Sequence, residues 1–328
     1  MSLTNRVLRI GVLGNSSISN RMMIPAIRQL ADLFELAGVA SRNFDTAETL
    51  SRTLGTPRFV GYDSLVSDSS VDAIYIPLPN SLHYQFAAMA LKEGKHVLVE
   101  KPMCLDLQEA IKLVQLARDR GLVLLESFQF RFHSQLNTIL NLVADGYIGD
   151  LRLIRSSFGF PPFASPDNIR YKRNLGGGAL LDAGVYSLKL ATLFLGENAS
   201  VEQSTGFSPD CGSVDLWGTG TLLSSSRSLA CQFSYGFDNY YQCKLELWGS
   251  LGLISTDRIF TAPCSHAPIL NIFRKNSAEV RTLDPDDHFR NLLVHFYHLV
   301  SGVADKELEF NGNIEQARLV HSLREAQP

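Results

Sequence analysis

The chain has 328 residues, 45% of them hydrophobic, and 30 basic against 33 acidic side chains for a formal net charge of −3. That length suits one large or two ordinary domains of roughly 150 residues each, and the balanced charge gives no basic field for nucleic acid or an anionic membrane. Five scattered cysteines (Cys104, Cys211, Cys231, Cys243 and Cys264) lack CxxC spacing, which argues against a disulfide framework or a zinc module. No stretch approaches the roughly 20 apolar residues of a membrane span, and no signal-peptide pattern opens the chain. A cytoplasmic protein without a metal site is expected.

In chain order, β-rich runs at 7–14, 34–42, 71–79, 95–102 and 122–128 alternate with helical patterns. The helices fall at 19–33 (begun or interrupted near Pro25), 46–55, 83–94 and 107–121. Near-continuous Val/Ile/Leu strands separated by helices indicate a parallel sheet covered on both faces, a doubly wound α/β domain. A linking helix at 134–146 follows. From residue 151 the strands lengthen and alternate more, and a glycine-bracketed helix spans 176–196. Closely spaced strands at 214–224, 228–237, 240–250 and 252–260 then predict hairpins and a mainly antiparallel open sheet. Helical patterns at 288–302 and 313–326 end the chain. The expected organisation is an α/β dinucleotide-binding domain over 1–125 and an α+β domain over 126–328 for substrate binding and oligomerisation.

The first βα turn, "GVLGNSSIS" (11–19), has Gly11 and Gly14 where backbone must approach a pyrophosphate at a helix N-terminus. Ser16 and Ser19 stand where a strict G-x-G-x-x-G carries glycine or alanine. Gly11, Gly14, Asn15, Ser16, Ser17 and Ile18 are the expected cofactor contacts. At the end of the second strand, where NAD sites place a carboxylate on the ribose, the chain has Ser41 and Arg42. A hydroxyl and a guanidinium accept a 2′-phosphate, so NADP(H) is the expected cofactor, with Asp45 nearby as the contrary feature. Lys101 ends the run "GKHVLVEKPM" beside Glu100 and Pro102. Pro102 keeps Lys101 extended, and ligands of a doubly wound sheet lie beyond such strand ends. From the residues alone, a surface Lys–Glu pair and a catalytic lysine both remain open.

Two longer stretches decide the family. "VDAIYIPLPNSLHYQFAAMALKEGKHVLVEKPM" (71–103), with its E-K-P at Glu100, Lys101 and Pro102, resembles the Gfo/Idh/MocA oxidoreductases. "LGGGALLDAGVYSLKLATLFLG" (175–196), with Asp182 and Tyr186, resembles that family's second signature, and "FRFHSQL" and "IGDLRLI" fall between them as expected. The resemblance spans nearly the whole chain. It implies a Rossmann domain followed by an open sheet that forms the substrate pocket and an oligomer interface, giving a homodimer or homotetramer. Tyr186 marks the branch of glucose–fructose oxidoreductase, dimeric dihydrodiol dehydrogenase and sugar ketoreductases, since inositol-oxidising members carry histidine there. The stretches 159–186 and 235–263 are most similar to nucleotide-linked deoxysugar 3-ketoreductases.

The resemblance implies Lys101, Tyr186 and Asp182 as catalytic residues. Asp182 and Tyr186 lie four apart on a predicted helix and so share one face. A free phenol is a poor acid at neutral pH. A lysine ammonium within ~4–6 Å favours its phenolate and stabilises charge growing on a carbonyl oxygen. Either Tyr186 or Lys101 could then donate the proton. Leu78, Pro79, Asn80 and His83, with Glu100, Lys101 and Arg170, are further expected cofactor contacts. Tyr235, with Asp182 and Tyr186, is an expected substrate contact. The leading expectation is reduction of a keto group on a sugar, favouring a nucleotide-linked keto-deoxyhexose. A dehydrogenase of free sugars or trans-dihydrodiols and a non-catalytic NADP-binding sensor are the alternatives.

Overall fold

The computed structural model describes residues 6–326 apart from position 227. The chain divides into two compact units. One runs to Ser127 and takes in Phe289–Ile314; the other holds Phe128–His288 and the residues from Glu315 onward.

The first unit is built on six strands: β1 (Leu8–Leu13), β2 (Phe34–Ser41), β3 (Arg58–Val60), β4 (Ala73–Ile76), β5 (His96–Glu100) and β6 (Leu124–Ser127). They are parallel in the order β3-β2-β1-β4-β5-β6. The chain steps outward from β1 through β2 and β3, then returns to the other side of β1 with β4. Strand order therefore reverses between β1 and β4, which is where such sheets open a ligand crevice. Every residue of β4 is fully buried, as helices on both faces require. Strand β3 has no expectation behind it: only Phe59 of its three residues is buried, too short a signal for periodicity.

Local chemistry sets the helix ends. The Asn43 side chain accepts from Thr46 N at 2.9 Å, and the Asp106 carboxylate accepts from Gln108 N at 2.7 Å; both are ordinary N-caps. The first helix does adjust around Pro25, through a wide π-turn at Ser19–Met23 that leads into Ile24–Gln29. Proline cannot donate to the preceding turn, and the widened turn absorbs the missing bond. The last helix begins at Lys306, ahead of the expected 313. "NGN" reads as a breaker, yet Asn311 accepts from Arg118 at 3.1 Å and Asn313 donates to the Leu124 carbonyl at 3.2 Å, so tertiary contacts override propensity.

The second unit carries β7 (Leu151–Gly159), β8 (Ser200–Phe207), β9 (Trp217–Leu223), β10 (Ala230–Gly236), β11 (Gln242–Gly249), β12 (Gly252–Asp257), β13 (Ile269–Arg274) and β14 (Ser277–Thr282). Their order is β14-β13-β12-β11-β7-β10-β9-β8, antiparallel except for the β7–β10 pair. Strands β8, β13 and β14 are additions to the expected set; β8 and β14 are edge strands without a buried residue. Alternation is clean in the centre: Ile154, Phe158, Phe233, Tyr235, Leu245 and Leu247 are buried on one face. The helix Val185–Leu195 covers that face, with Ser187 and Ser156 hydroxyls 2.9 Å apart. The stretch Arg173–Leu195 is long and apolar enough to cross a membrane by composition, but 78% of its window is buried in protein, as in a core helix.

Candidate active site

At the end of β1, Gly14 has φ 88°, and a Cβ there would meet the Leu78 side chain at 2.9 Å. Only glycine takes this backbone without strain, so β1 and the segment after β4 close up tightly. Ser16 then starts the helix, its Oγ accepting from Ser19 N at 3.1 Å. First-turn N–H groups are left for a ligand, and an anion is the ligand they suit. Ser41 is buried at the end of β2, with its Oγ accepting from Asn43 N at 3.2 Å. The Arg42 guanidinium lies 5.9 Å from the Tyr62 ring centroid, and the Tyr62 hydroxyl is 3.6 Å from where a Gly14 Cβ would stand. Ser41, Arg42 and the glycine turn are thus brought together. Asp45 lies in the first turn of the helix Phe44–Leu54, exposed. A cradle that a Cβ would fill, flanked by an arginine at the β2 end, fits a dinucleotide with a 2′-phosphate.

The segment around Lys101 is braced from three directions. Tyr75 on β4 donates to Glu100 Oε1 at 2.7 Å, and burial pushes the Glu100 carboxyl above its usual range. Glu126 Oε1 accepts from Met103 N at 2.8 Å. His83 is fully buried, with Nδ1 2.7 Å from the Pro102 carbonyl and Nε2 2.7 Å from the Leu78 carbonyl. Burial holds this imidazole below the ordinary range, opposed by the two carbonyls and reinforced by the Lys101 ammonium. A neutral ring donates to one carbonyl at a time. His83, an expected cofactor contact, thus spends both ring nitrogens on backbone. It ties the Leu78–Pro79–Asn80 segment to the Lys101–Pro102 segment, at the carboxyl ends of neighbouring strands β4 and β5. Asn80 starts the helix Asn80–Lys92.

In the second unit, Tyr186 follows a π-turn at Leu180–Gly184 that contains Asp182. Its ring is enclosed by Phe128, Phe130, Phe158 and Phe260, with centroids 5.1 to 5.9 Å away. Its hydroxyl meets the Gln129 amide, 3.3 Å from Nε2 and 3.5 Å from Oε1. The cage fixes the ring, and the Gln129 amide is a polar neighbour of the hydroxyl. Arg170 Nε donates to Asp182 Oδ2 at 2.7 Å, and the guanidinium lies over Phe163 at 4.9 Å. Two site residues expected to act separately, Arg170 and Asp182, are therefore one ion pair. Asp215 caps this helix by accepting from Leu180 N at 2.6 Å, with its carboxyl pushed up by burial. Tyr235, an expected substrate contact, is 3% exposed. Its ring packs where Gly184 and Gly218 leave room for it, which is a core position. Gln129, Tyr75, Glu126 and Asp215 have no motif in the sequence. A polar residue inside an apolar strand, as in Tyr75 or Glu126, is the one signal that could have marked two of them.

Comparison with known proteins gives the family. Residues 8–128 match the oxidoreductase family with an NAD-binding Rossmann fold, and residues 136–255 match the GFO/IDH/MocA C-terminal domain. A dTDP-3,4-didehydro-2,6-dideoxy-alpha-D-glucose 3-reductase of Streptomyces violaceoruber is 38% identical over 98% of this chain and 96% of its own. A D-xylose 1-dehydrogenase (NADP(+)) of Haloferax volcanii is 30% identical over 97% of each chain. A 3-ketoreductase from Actinomadura kijaniata, crystallised with NADP and TDP-benzene, superposes with a TM-score of 0.93 at 34% identity, covering 98% of both chains. The doubly wound unit, the open-sheet unit and these full-length likenesses place the chain in the Gfo/Idh/MocA oxidoreductase family.

Proposed function

We propose that the chain is an NADP(H)-dependent ketoreductase acting on the C3 keto group of a TDP-linked deoxyhexose. The observation that carries this reading is Tyr186. It is caged by four phenylalanines with its hydroxyl on Gln129, in a chain 38% identical, end to end, to a dTDP-sugar 3-reductase. The glycine turn from Gly11 to Ile18 holds the cofactor pyrophosphate, and Ser41 with Arg42 holds the 2′-phosphate. NADPH, when bound, supplies the hydride that reduces the carbonyl carbon. The carbonyl oxygen then needs a proton, and Tyr186 donates it from its hydroxyl. Lys101 places positive charge toward that oxygen as negative charge grows on it. Asp182, held by Arg170, fixes the first turn of the Tyr186 helix and borders the substrate. His83, Tyr75 and Glu126 keep the Lys101 segment in one conformation, so that its side chain starts from a rigid strand end.

The same reading makes the protein a soluble cytoplasmic enzyme that assembles as a homodimer or homotetramer through the second unit's sheet. The sheet face away from the helix supports this. Phe207 stacks on Trp217 at 5.4 Å, and Arg155 lies 4.0 Å over Trp248, with Phe273 and Val280 exposed on the same face. An exposed apolar face of this kind suits a second copy. Light scattering behind size exclusion reads the assembly directly.

The test of function is a set of initial rates with NADPH on TDP-linked 3-keto-deoxyhexoses, the matching free sugars, and D-xylose with NADP+. Turnover confined to the TDP-linked ketones is expected. Faster reaction with free D-xylose would reassign the chain to the free-sugar dehydrogenases.

A further inference from the structure

We propose that Arg258, lying on the ring of Tyr241, binds the diphosphate of the nucleotide-sugar substrate; this assignment rests on the sugar-nucleotide reading above. Arg258 has φ 55°, in the left-handed region. A bulky side chain is an outlier there, and such residues persist only where the surroundings hold them and gather at functional sites. The surroundings here do hold it. Its carbonyl accepts from Gln135 Nε2 at 3.4 Å. Its guanidinium carbon is 5.0 Å from the Tyr241 ring centroid, and Nη1 is 3.4 Å from the Tyr241 hydroxyl. That hydroxyl is in turn 3.1 Å from Thr261 Oγ1, and Cys243 Sγ accepts from Phe260 N at 3.3 Å.

Arg258 also has spare charge. Among the described residues no carboxylate pairs with it, and the neighbouring Asp257 faces Lys244 at 4.0 Å. A half-buried guanidinium stacked on an aromatic ring, with donors unspent, is suited to a phosphate oxygen pair. Its position indicates whose phosphate. Phe260, two residues along, packs 5.6 Å from the Tyr186 ring. Arg258 therefore stands on the same short segment, two residues before a ring that walls the Tyr186 cage. Arg258, Tyr241 and Tyr186 all belong to the second unit, whereas the glycine turn that fits the cofactor belongs to the first. The substrate's diphosphate is therefore the assigned ligand.

The experiment is calorimetric titration of TDP and, separately, NADP+ into the full-length parent protein, Arg258→Ala, Arg258→Lys and Arg258→Gly. Loss of one charge-assisted contact predicts TDP affinity weaker by about tenfold to a hundredfold in the alanine and glycine variants. Lysine, which keeps charge without the planar fork, is expected between them and the parent. NADP+ affinity is expected to stay at the parent value. The glycine variant guards against misfolding: glycine takes φ 55° freely, so its melting temperature is expected at or above the parent's while TDP affinity falls. Parent-like TDP affinity in Arg258→Gly overturns the assignment alone. Equal losses for TDP and NADP+ overturn the choice of substrate diphosphate. Failure of the parent to bind TDP overturns the sugar-nucleotide reading and the assignment with it.

Discussion

In the proposed reaction Tyr186 donates the proton to the carbonyl oxygen, and a single substitution tests that role. Tyr186→Phe keeps the ring in its cage and deletes only the hydroxyl. We expect kcat to fall by about 10²–10⁴-fold with NADPH affinity unchanged, which stopped-flow reduction and fluorescence titration measure. Parent-like turnover would move the proton to Lys101 or water. Arg42→Ala is expected to erase much of a preference for NADPH over NADH, by about tenfold to a hundredfold in relative Kd. Equal affinity of the parent for both cofactors would remove the basis for that preference. These residues were legible in the sequence because motif spacing and strand ends point at them. Their supports were not. Gln129 reaches Tyr186 across 57 residues and Tyr75 reaches Glu100 across 25, and no local pattern encodes a contact that the fold creates. Tyr235 lies in the ketoreductase-like stretch, and strand alternation buries its ring where Gly184 and Gly218 leave room.

Among the elements, the ends of β4 and β5 are held together by one imidazole. His83→Ala would leave one buried carbonyl, that of Leu78 or of Pro102, without its donor. An unsatisfied buried acceptor costs roughly 1–3 kcal/mol, so chemical denaturation should show a drop of that size. Because the Lys101 segment loses its brace, kcat is expected to fall more than the Kd for NADPH rises. An unchanged kcat with lowered stability would limit His83 to a structural role. The parallel sheet was readable because its strands are buried runs separated by helices of regular length. Strands β8 and β14 escaped because edge strands carry few buried residues, and the 306–326 helix runs through "NGN" because tertiary hydrogen bonds outweigh local propensity there.

For the whole molecule, buried histidines set the response to acid. Burial pushes His96 and His288 down to about 4, and it also lowers His83 and His133. An unfolded histidine takes up its proton near 6.5, whereas folded His96 and His288 remain neutral until about 4. Unfolding therefore absorbs protons in that window, and stability falls as pH drops from about 6.5 toward about 4, by up to about 1.4 kcal/mol per pH unit for each of these two, with His83 and His133 acting in the same sense. Glu100 and Asp215, pushed up by burial, act in the opposite sense at the acid end of the window. The urea midpoint should fall steadily as pH drops from about 6.5 to about 5; a midpoint rising as pH drops over that range would contradict the burial of these rings. The proposed reaction is one hydride transfer, from nicotinamide to C3 of a TDP-linked keto sugar. Incubation of the protein with NADPH deuterated at the transferred C4 position and a TDP-linked 3-keto-deoxyhexose, followed by NMR of the product, tests it most directly. A single deuterium on C3 of the product sugar, still linked to TDP, is expected. Deuterium at C1 or C4, or complete retention of the label on the cofactor, would contradict it.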